Sequence, residues 1–498
     1  MKTAIVVNAL LRSDRWMNPI AGLDPVSQLL IKLGGVGKKE EIYLLVNGKA
    51  NQKLHQRIRD YKKIEIHDLR NKEIFLTLFN ALSSYEDIIY VFIDSPLLDI
   101  EIAKKMLSLH RDEFAEYTYG EGFPVGFTPE IVKRELLPKL ATLVEKDGGE
   151  VDRDSLFSAL SKEINSFDIE TYFSTEDLKI KRIELTTSLK RNALVVERVI
   201  ERKGISCSFE EFCTLVHSEP ELLRTVPSYV EMEITNRTHA PSSYSPVPFL
   251  KREQGEMDYD IFHELLGKIC DFSETFYMEF SYLGEPLLHA DIKSFIEHAI
   301  SDHKIHLIIE TDGTQFTPAF SDYIAELAAD NLSIIFAVDT VDAQTYTSIH
   351  GGDLNKVERN IRYLLSKRKK NVYCQMIRVD DKEEELLKFF NVWEKEGAKV
   401  IIQKYNSYLG LLPERSVHDL RPLERMSCWH LQRDLVVFHN GDVPRCKQDI
   451  NGLFALGNLI KEELSSVWAR GKPYYLAHCE KKYDEYCSIC DEFYTFNF

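Results

Sequence analysis

The chain has 498 residues, 44% of them hydrophobic and 11% aromatic, which fits two or three packed domains rather than one core. Its formal net charge of −17 argues against sequence-independent nucleic-acid binding and against attraction to an anionic membrane surface. The apolar run at the start is too short for a signal peptide, and no later stretch reaches the roughly eighteen apolar residues of a spanning helix, so a cytoplasmic protein is expected.

Residues 1–150 alternate β-rich runs, Lys2–Asn8, Glu41–Val46 and Ile88–Ile93, with amphipathic stretches, the pattern of a parallel α/β sheet. The run Tyr90-Val-Phe-Ile-Asp94-Ser-Pro-Leu-Leu-Asp99 leads into a helix, for which Asp94 is a candidate cap. Together with Phe123–Glu130, Phe167–Glu170 and Thr175–Leu178 it resembles the nucleotidyltransferase fold of sugar-nucleotide cytidylyltransferases. That resemblance implies a divalent metal such as Mg at Asp94, holding nucleotide phosphates. Those enzymes follow the first strand with a glycine-rich loop, because bare backbone amides must approach a triphosphate. Here the place reads Asn8-Ala-Leu-Leu-Arg12-Ser-Asp-Arg15, with no glycine before Gly22 and with Arg12 and Arg15 as its basic residues. A retained fold used for binding or spacing is the plainer expectation. Residues 151–227 are charged and are expected to form a helical connector.

At Tyr229 a short apolar-alternating strand begins, Val230–Ile234, and it breaks into a loop at Thr235-Asn236-Arg237. The frame resembles the first strand and loop of radical SAM enzymes, which read Ile-Thr-Asn-Arg-Cys there and continue with two more cysteines. In this chain Thr238, Ser242 and Ser245 stand at the three cysteine positions. Three thiolates hold a [4Fe-4S] cluster and leave one iron open for SAM. A hydroxyl stays protonated at neutral pH and is a poor ligand for such iron. Radical SAM catalysis is therefore not expected here.

An ordinary Ser-rich loop is the plain alternative, but the likeness continues element by element. Asp258 precedes a helix as its N-cap, and Phe276–Ser281 forms a second strand. Tyr282-Leu-Gly284-Glu285-Pro286 follows, with Leu283 at the family's first glycine, and His306–Glu310 leads into Thr311-Asp312-Gly313-Thr314. Ile334–Asp339, Val372–Met376 and Val400–Asn406 fit three further strands. The resemblance implies an open (β/α)6 partial barrel over 228–415, with Gly284, Glu285 and Asp312 at a vestigial SAM pocket. Without the anchoring iron, Glu285 and Asp312 read equally as turn and cap residues.

Cys207, Cys213, Cys270 and Cys374 are scattered, whereas Cys428, Cys446, Cys479, Cys487 and Cys490 crowd the tail. Clustered cysteines in a chain without an export signal point to metal. Asn440-Gly441 predicts a hairpin between Leu435–Phe438 and Val443–Cys446, which would bring Cys428 near Cys446. With Gly457-Asn458, a helix through Trp468 and Cys487-Ser-Ile-Cys490, the tail from 416 to 498 resembles the SPASM extension of radical SAM enzymes. The resemblance implies one [4Fe-4S] cluster held by Cys428, Cys446, Cys487 and Cys490, with Cys479 spare. A zinc ion on the same thiolates is the rival.

The three-part arrangement resembles the spiro-SPASM family, a SPASM tail behind a cysteine-less radical SAM-like domain. It implies an iron–sulfur protein that has lost SAM cleavage, acting in binding, in electron transfer, or beside an active enzyme in peptide or protein modification. The alternative is a metal-dependent nucleotidyltransferase using the N-terminal domain.

Overall fold

The computed structural model describes residues 2–495 apart from 12, 49–51, 145–148, 150, 381–382 and 418–421, so Arg12 lies outside the described residues. The chain forms two compact units, Met1–Thr225 and Val226–Phe498.

The first unit is built on one sheet of strands β1 (Thr3–Asn8), β2 (Ile42–Asn47), β3 (Lys62–Ile66), β4 (Asp87–Phe92), β5 (Tyr117–Glu121), β6 (Glu130–Lys133) and β7 (Ile169–Phe173). Their spatial order is β3-β2-β1-β4-β6-β5-β7, and only β6 runs antiparallel to its neighbours. The central strands read as continuous apolar runs because helices cover both faces. Along β1, Ile5 and Val7 join one core while Ala4 and Val6 join the core on the other face, the period-2 alternation of a strand. The segment expected to be a connector lies within this unit. It supplies β7, paired in parallel with β5, and the helices Lys190–Lys203 and Phe209–Ser218. Val196, Val199, Phe212 and Val216 of those helices share the core of Ile5 and Val7.

The second unit carries β8 (Tyr229–Met232), β9 (Phe276–Glu279), β10 (Ile305–Thr311), β11 (Leu332–Ala337), β12 (Val372–Arg378) and β13 (Lys399–Lys404), all parallel and in sequential order. This is the expected (β/α)6 partial barrel. Its crossover helices are amphipathic. In Leu354–Lys367 the residues Leu354, Val357, Ile361, Leu364 and Leu365 face the core, and the Asp353 carboxylate caps the start by accepting from Asn355 N at 3.0 Å. No helix among the described residues is long and apolar enough to cross a membrane.

One sequence expectation is corrected in the tail. Asn440-Gly441 closes a tight turn, with Gly441 N donating to Phe438 O at 2.8 Å and Phe438 N to Asp442 O at 2.9 Å, but the flanking strands do not extend it into a paired hairpin. Instead β14 (Asp434–Val437) pairs in parallel with β8, from Asp434 against Tyr229 to Val437 against Met232. After the turn, β15 (Asp442–Pro444) pairs antiparallel with β16 (Ala455–Asn458). The edge of β8 presents unpaired backbone groups, and Leu435 and Val437 bury in the barrel core, so the long-range pairing outweighs the local one.

Candidate functional site

A cavity of about 430 Å³ opens inside the barrel toward the carboxyl ends of its strands, the usual place for a ligand in such folds. Glu231 on β8, Glu279 on β9 and Glu310 on β10 line it, and the first two are direct register partners. Burial lifts the Glu231 carboxyl to about 8 against the pull of Lys447. Burial, together with the neighbouring Glu279, lifts Glu310 to about 8. Tyr229 donates its hydroxyl to Glu279, and Gln375 Nε2 donates to Glu310 Oε1 at 3.0 Å. Sequence reasoning had passed over these carboxylates. Their signal was a charged residue inside each apolar strand, as in Val230-Glu231-Met232.

The hydroxyl loop lies on the same cavity: Thr238, Ser242 and Ser245 all line it. Ser242 Oγ accepts from Tyr244 N at 3.3 Å and Ser245 Oγ from Val247 N at 3.4 Å, so both shape the local turn. Gly284, Glu285 and Asp312 line the cavity as well. Glu285 accepts from Leu287 N at 3.1 Å, Thr311 Oγ1 at 2.8 Å and Asp312 N at 2.9 Å, which ties the loop after β9 to the end of β10. Asp312 Oδ1 accepts from both Thr314 N at 2.7 Å and Thr314 Oγ1 at 2.6 Å.

Gly284 has a steric role. A Cβ there would sit 2.1 Å from the Thr235 carbonyl oxygen and 2.9 Å from Asn236 Cα, both backbone atoms. Gly284→Ala must therefore push apart the loops after β8 and β9. We expect a loss of about 1–3 kcal/mol, the range for overpacked sites, read from urea unfolding of parent and variant.

In the tail, Cys428, Cys446, Cys487 and Cys490 all line one small, closed cavity. Cys428 stands just before the helix Trp429–Arg433, and Cys446 follows β15. Cys487 and Cys490 share one turn, with Cys490 N donating to Cys487 O at 3.2 Å and Asp484 Oδ1 capping Cys487 N at 2.8 Å. Burial pushes Cys487 and Cys490 up to about 12 and raises Cys428 and Cys446 as well, so ligation must displace their protons. Cys479 packs against the apolar cluster that contains Cys428, beside Cys446, but does not line the cavity. Among the described residues, no three His, Cys, Asp or Glu side chains form a ready-made site for a single ion.

The two cavities share a wall. Lys447, next to Cys446, and Glu492, two residues after Cys490, line both. Lys404 at the end of β13 reaches Glu492 at 2.6 Å and Asp491 at 2.8 Å. The cysteine turn is thereby fastened to the barrel.

In the first unit Asp94 is fully buried just past β4. Arg153 ion-pairs with one carboxylate oxygen, and Ser188 Oγ donates to the other at 2.5 Å. The cap of the following helix is Asp99, which accepts from Glu101 N and Ile102 N. The loop after β1 is held by Asn8 in place of glycine. Its side chain accepts from Leu10 N at 2.8 Å and donates to the Tyr90 hydroxyl at 2.7 Å.

A parallel six-stranded partial barrel continued by a compact cysteine-bearing tail has the layout of a radical SAM-like fold with a SPASM extension. Residues 428–491 match the profile of SPASM, an iron–sulfur cluster-binding domain. An uncharacterized protein of Treponema pallidum is 31% identical over 358 residues, covering 69% of this chain and 98% of that protein. The chain belongs to the family it shares with that treponemal protein, with the spiro-SPASM arrangement. Among solved structures, Streptococcus suis SuiB bound to the precursor peptide SuiA is 13% identical with a TM-score of 0.45, covering 72% of this chain and 85% of that one. A cytidylyltransferase from Leptospira borgpetersenii is 15% identical with a TM-score of 0.38, covering 45% of this chain and 97% of that one.

Proposed function

We propose that this protein is an iron–sulfur-binding relative of radical SAM enzymes that no longer cleaves SAM, and that it binds a peptide, a protein side chain or an active partner enzyme. The observation that carries the reading is the exchange of donors between two adjoining cavities. The barrel cavity is bordered by the hydroxyls of Thr238, Ser242 and Ser245, whereas the tail cavity gathers four thiols. Thiolate is what iron–sulfur clusters require.

Cys428, Cys446, Cys487 and Cys490 would hold one [4Fe-4S] cluster, which supplies one-electron chemistry when bound. Lys447 and Glu492 form the wall between that centre and the barrel cavity, a placement suited to electron transfer toward a bound partner. Clustered thiols that serve a metal suit a cytoplasmic setting. Nucleotidyl transfer at Asp94 is the weaker reading, because Arg153 and Ser188 already occupy both carboxylate oxygens that a metal would need.

The test is anaerobic reconstitution followed by incubation with SAM and dithionite. We expect about four irons per chain, from a single cluster, and no 5′-deoxyadenosine. Formation of 5′-deoxyadenosine, or roughly eight irons per chain, would overturn the reading. Metal-dependent release of pyrophosphate from CTP would favour the nucleotidyltransferase instead.

A further inference from the structure

The tail cavity holds more than thiols. Gln448 and His478 line it and are 6% and 5% exposed, yet neither Gln448 Nε2 and Oε1 nor His478 Nδ1 has a hydrogen-bond partner. The Nε of Arg425, on the same wall, is buried without a partner too, although the other two guanidinium nitrogens donate to the carbonyls of Cys487 and Ser488. Buried polar groups in folded proteins are nearly always satisfied, and leaving one unmade is costly. The donors among them, Gln448 Nε2, Arg425 Nε and His478 as its Nδ1–H tautomer, surround one small cavity and therefore mark a missing acceptor. The cysteine sulfurs border that cavity, and an amide NH2, an imidazole N–H and a guanidinium N–H are all donors.

We propose that Gln448, His478 and Arg425 donate hydrogen bonds to the sulfur atoms of the tail's iron–sulfur cluster and raise its reduction potential. The inference rests on the reading that the four cysteines hold such a cluster. The physical reason is that each N–H stabilises negative charge on sulfur, which is greater after reduction, and hydrogen bonds to sulfur are an established lever on cluster potentials. The placement is local in sequence. Gln448 follows Cys446 by two residues, and Arg425 precedes Cys428 by three. His478 comes from the helix Lys472–Cys479, where Tyr483 packs edge-on against its ring with centroids 4.9 Å apart.

The experiment uses the full chain, reconstituted anaerobically, as parent, Gln448→Leu, His478→Phe and the double variant. Iron per chain, the midpoint potential by dye-mediated titration, and the exchangeable-proton couplings of the reduced cluster are measured on each. We expect parental iron content, a potential more negative in each single variant and more negative still in the double, and loss of couplings on exchange-matched samples. The metal-free Gln448→Leu chain should melt no lower than the parent, since an unsatisfied amide has been removed. Unchanged potential and couplings at full iron content would overturn the donor assignment and leave the ligand assignment standing. A parent chain without iron would overturn both. Should Gln448→Leu not fold, His478→Phe alone decides by the same readouts.

Discussion

Cys446→Ala is expected to retain almost none of the roughly four irons that the reconstituted parent holds. Cys446 is half-buried, in a turn closed by Asp449 N donating to Cys446 O at 3.1 Å. Cys479 does not line the cavity and is not expected to take its place. Alanine variants at Cys428, Cys487 and Cys490 should behave in the same way, while Cys479→Ala keeps the metal. Iron and acid-labile sulfide counts with the visible absorption band are the measurement. If the four variants lose about one zinc per chain instead, the tail is a tetrahedral zinc site. Iron kept by Cys446→Ala would mean that the ligand set is wrong.

The sequence carried the local part of this architecture well. Each barrel strand was visible as a short apolar run, because a strand's period and its burial are set within a few residues. Pairings across long stretches of chain were not legible. Nothing near Leu435 announces that it will lie beside Val230, and the Asn440-Gly441 signal pointed to the nearer partner. The same limit hid β7, whose partner β5 lies fifty residues upstream in the register Tyr117 to Ile169.

For the candidate site, residue chemistry was legible where the pattern was short. The turn holding Cys487 and Cys490 is one example, and the hydroxyls at 238, 242 and 245 are another. The cavity's carboxylates were not, because a glutamate in a strand reads as an outward-facing residue until the sheet curls and turns it inward. Asp94 shows the opposite error. Its position at a strand end invited a metal or a cap, and only the fold brings Arg153 and Ser188 from more than fifty residues away to occupy it.

Glu233→Ala should cost the second unit about 3–5 kcal/mol, the range for removing one partner of a buried ion pair. Glu233 is fully buried one residue past β8 and accepts from Arg252 through both oxygens, at 2.7 and 2.6 Å. His439 adds its Nδ1 at 3.0 Å, and Arg252 also donates to Ile450 O at 2.7 Å while lying 3.6 Å from the Phe438 ring centroid. The hydroxyl loop and the tail are thus pinned to the barrel through one carboxylate. Burial alone would raise its pKa, but the hydrogen bonds from Arg252 and His439 and the Arg252 charge hold it below the usual range. A depressed folded value means that the contribution is fully present above the unfolded pKa of about 4.3 and is lost as pH falls through the lower folded value. In urea titrations the gap between parent and Glu233→Gln should hold from pH 7 to pH 5 and narrow below about pH 4. A gap of the same size at pH 3 would show that the stabilisation comes from packing and not from the ionised pair.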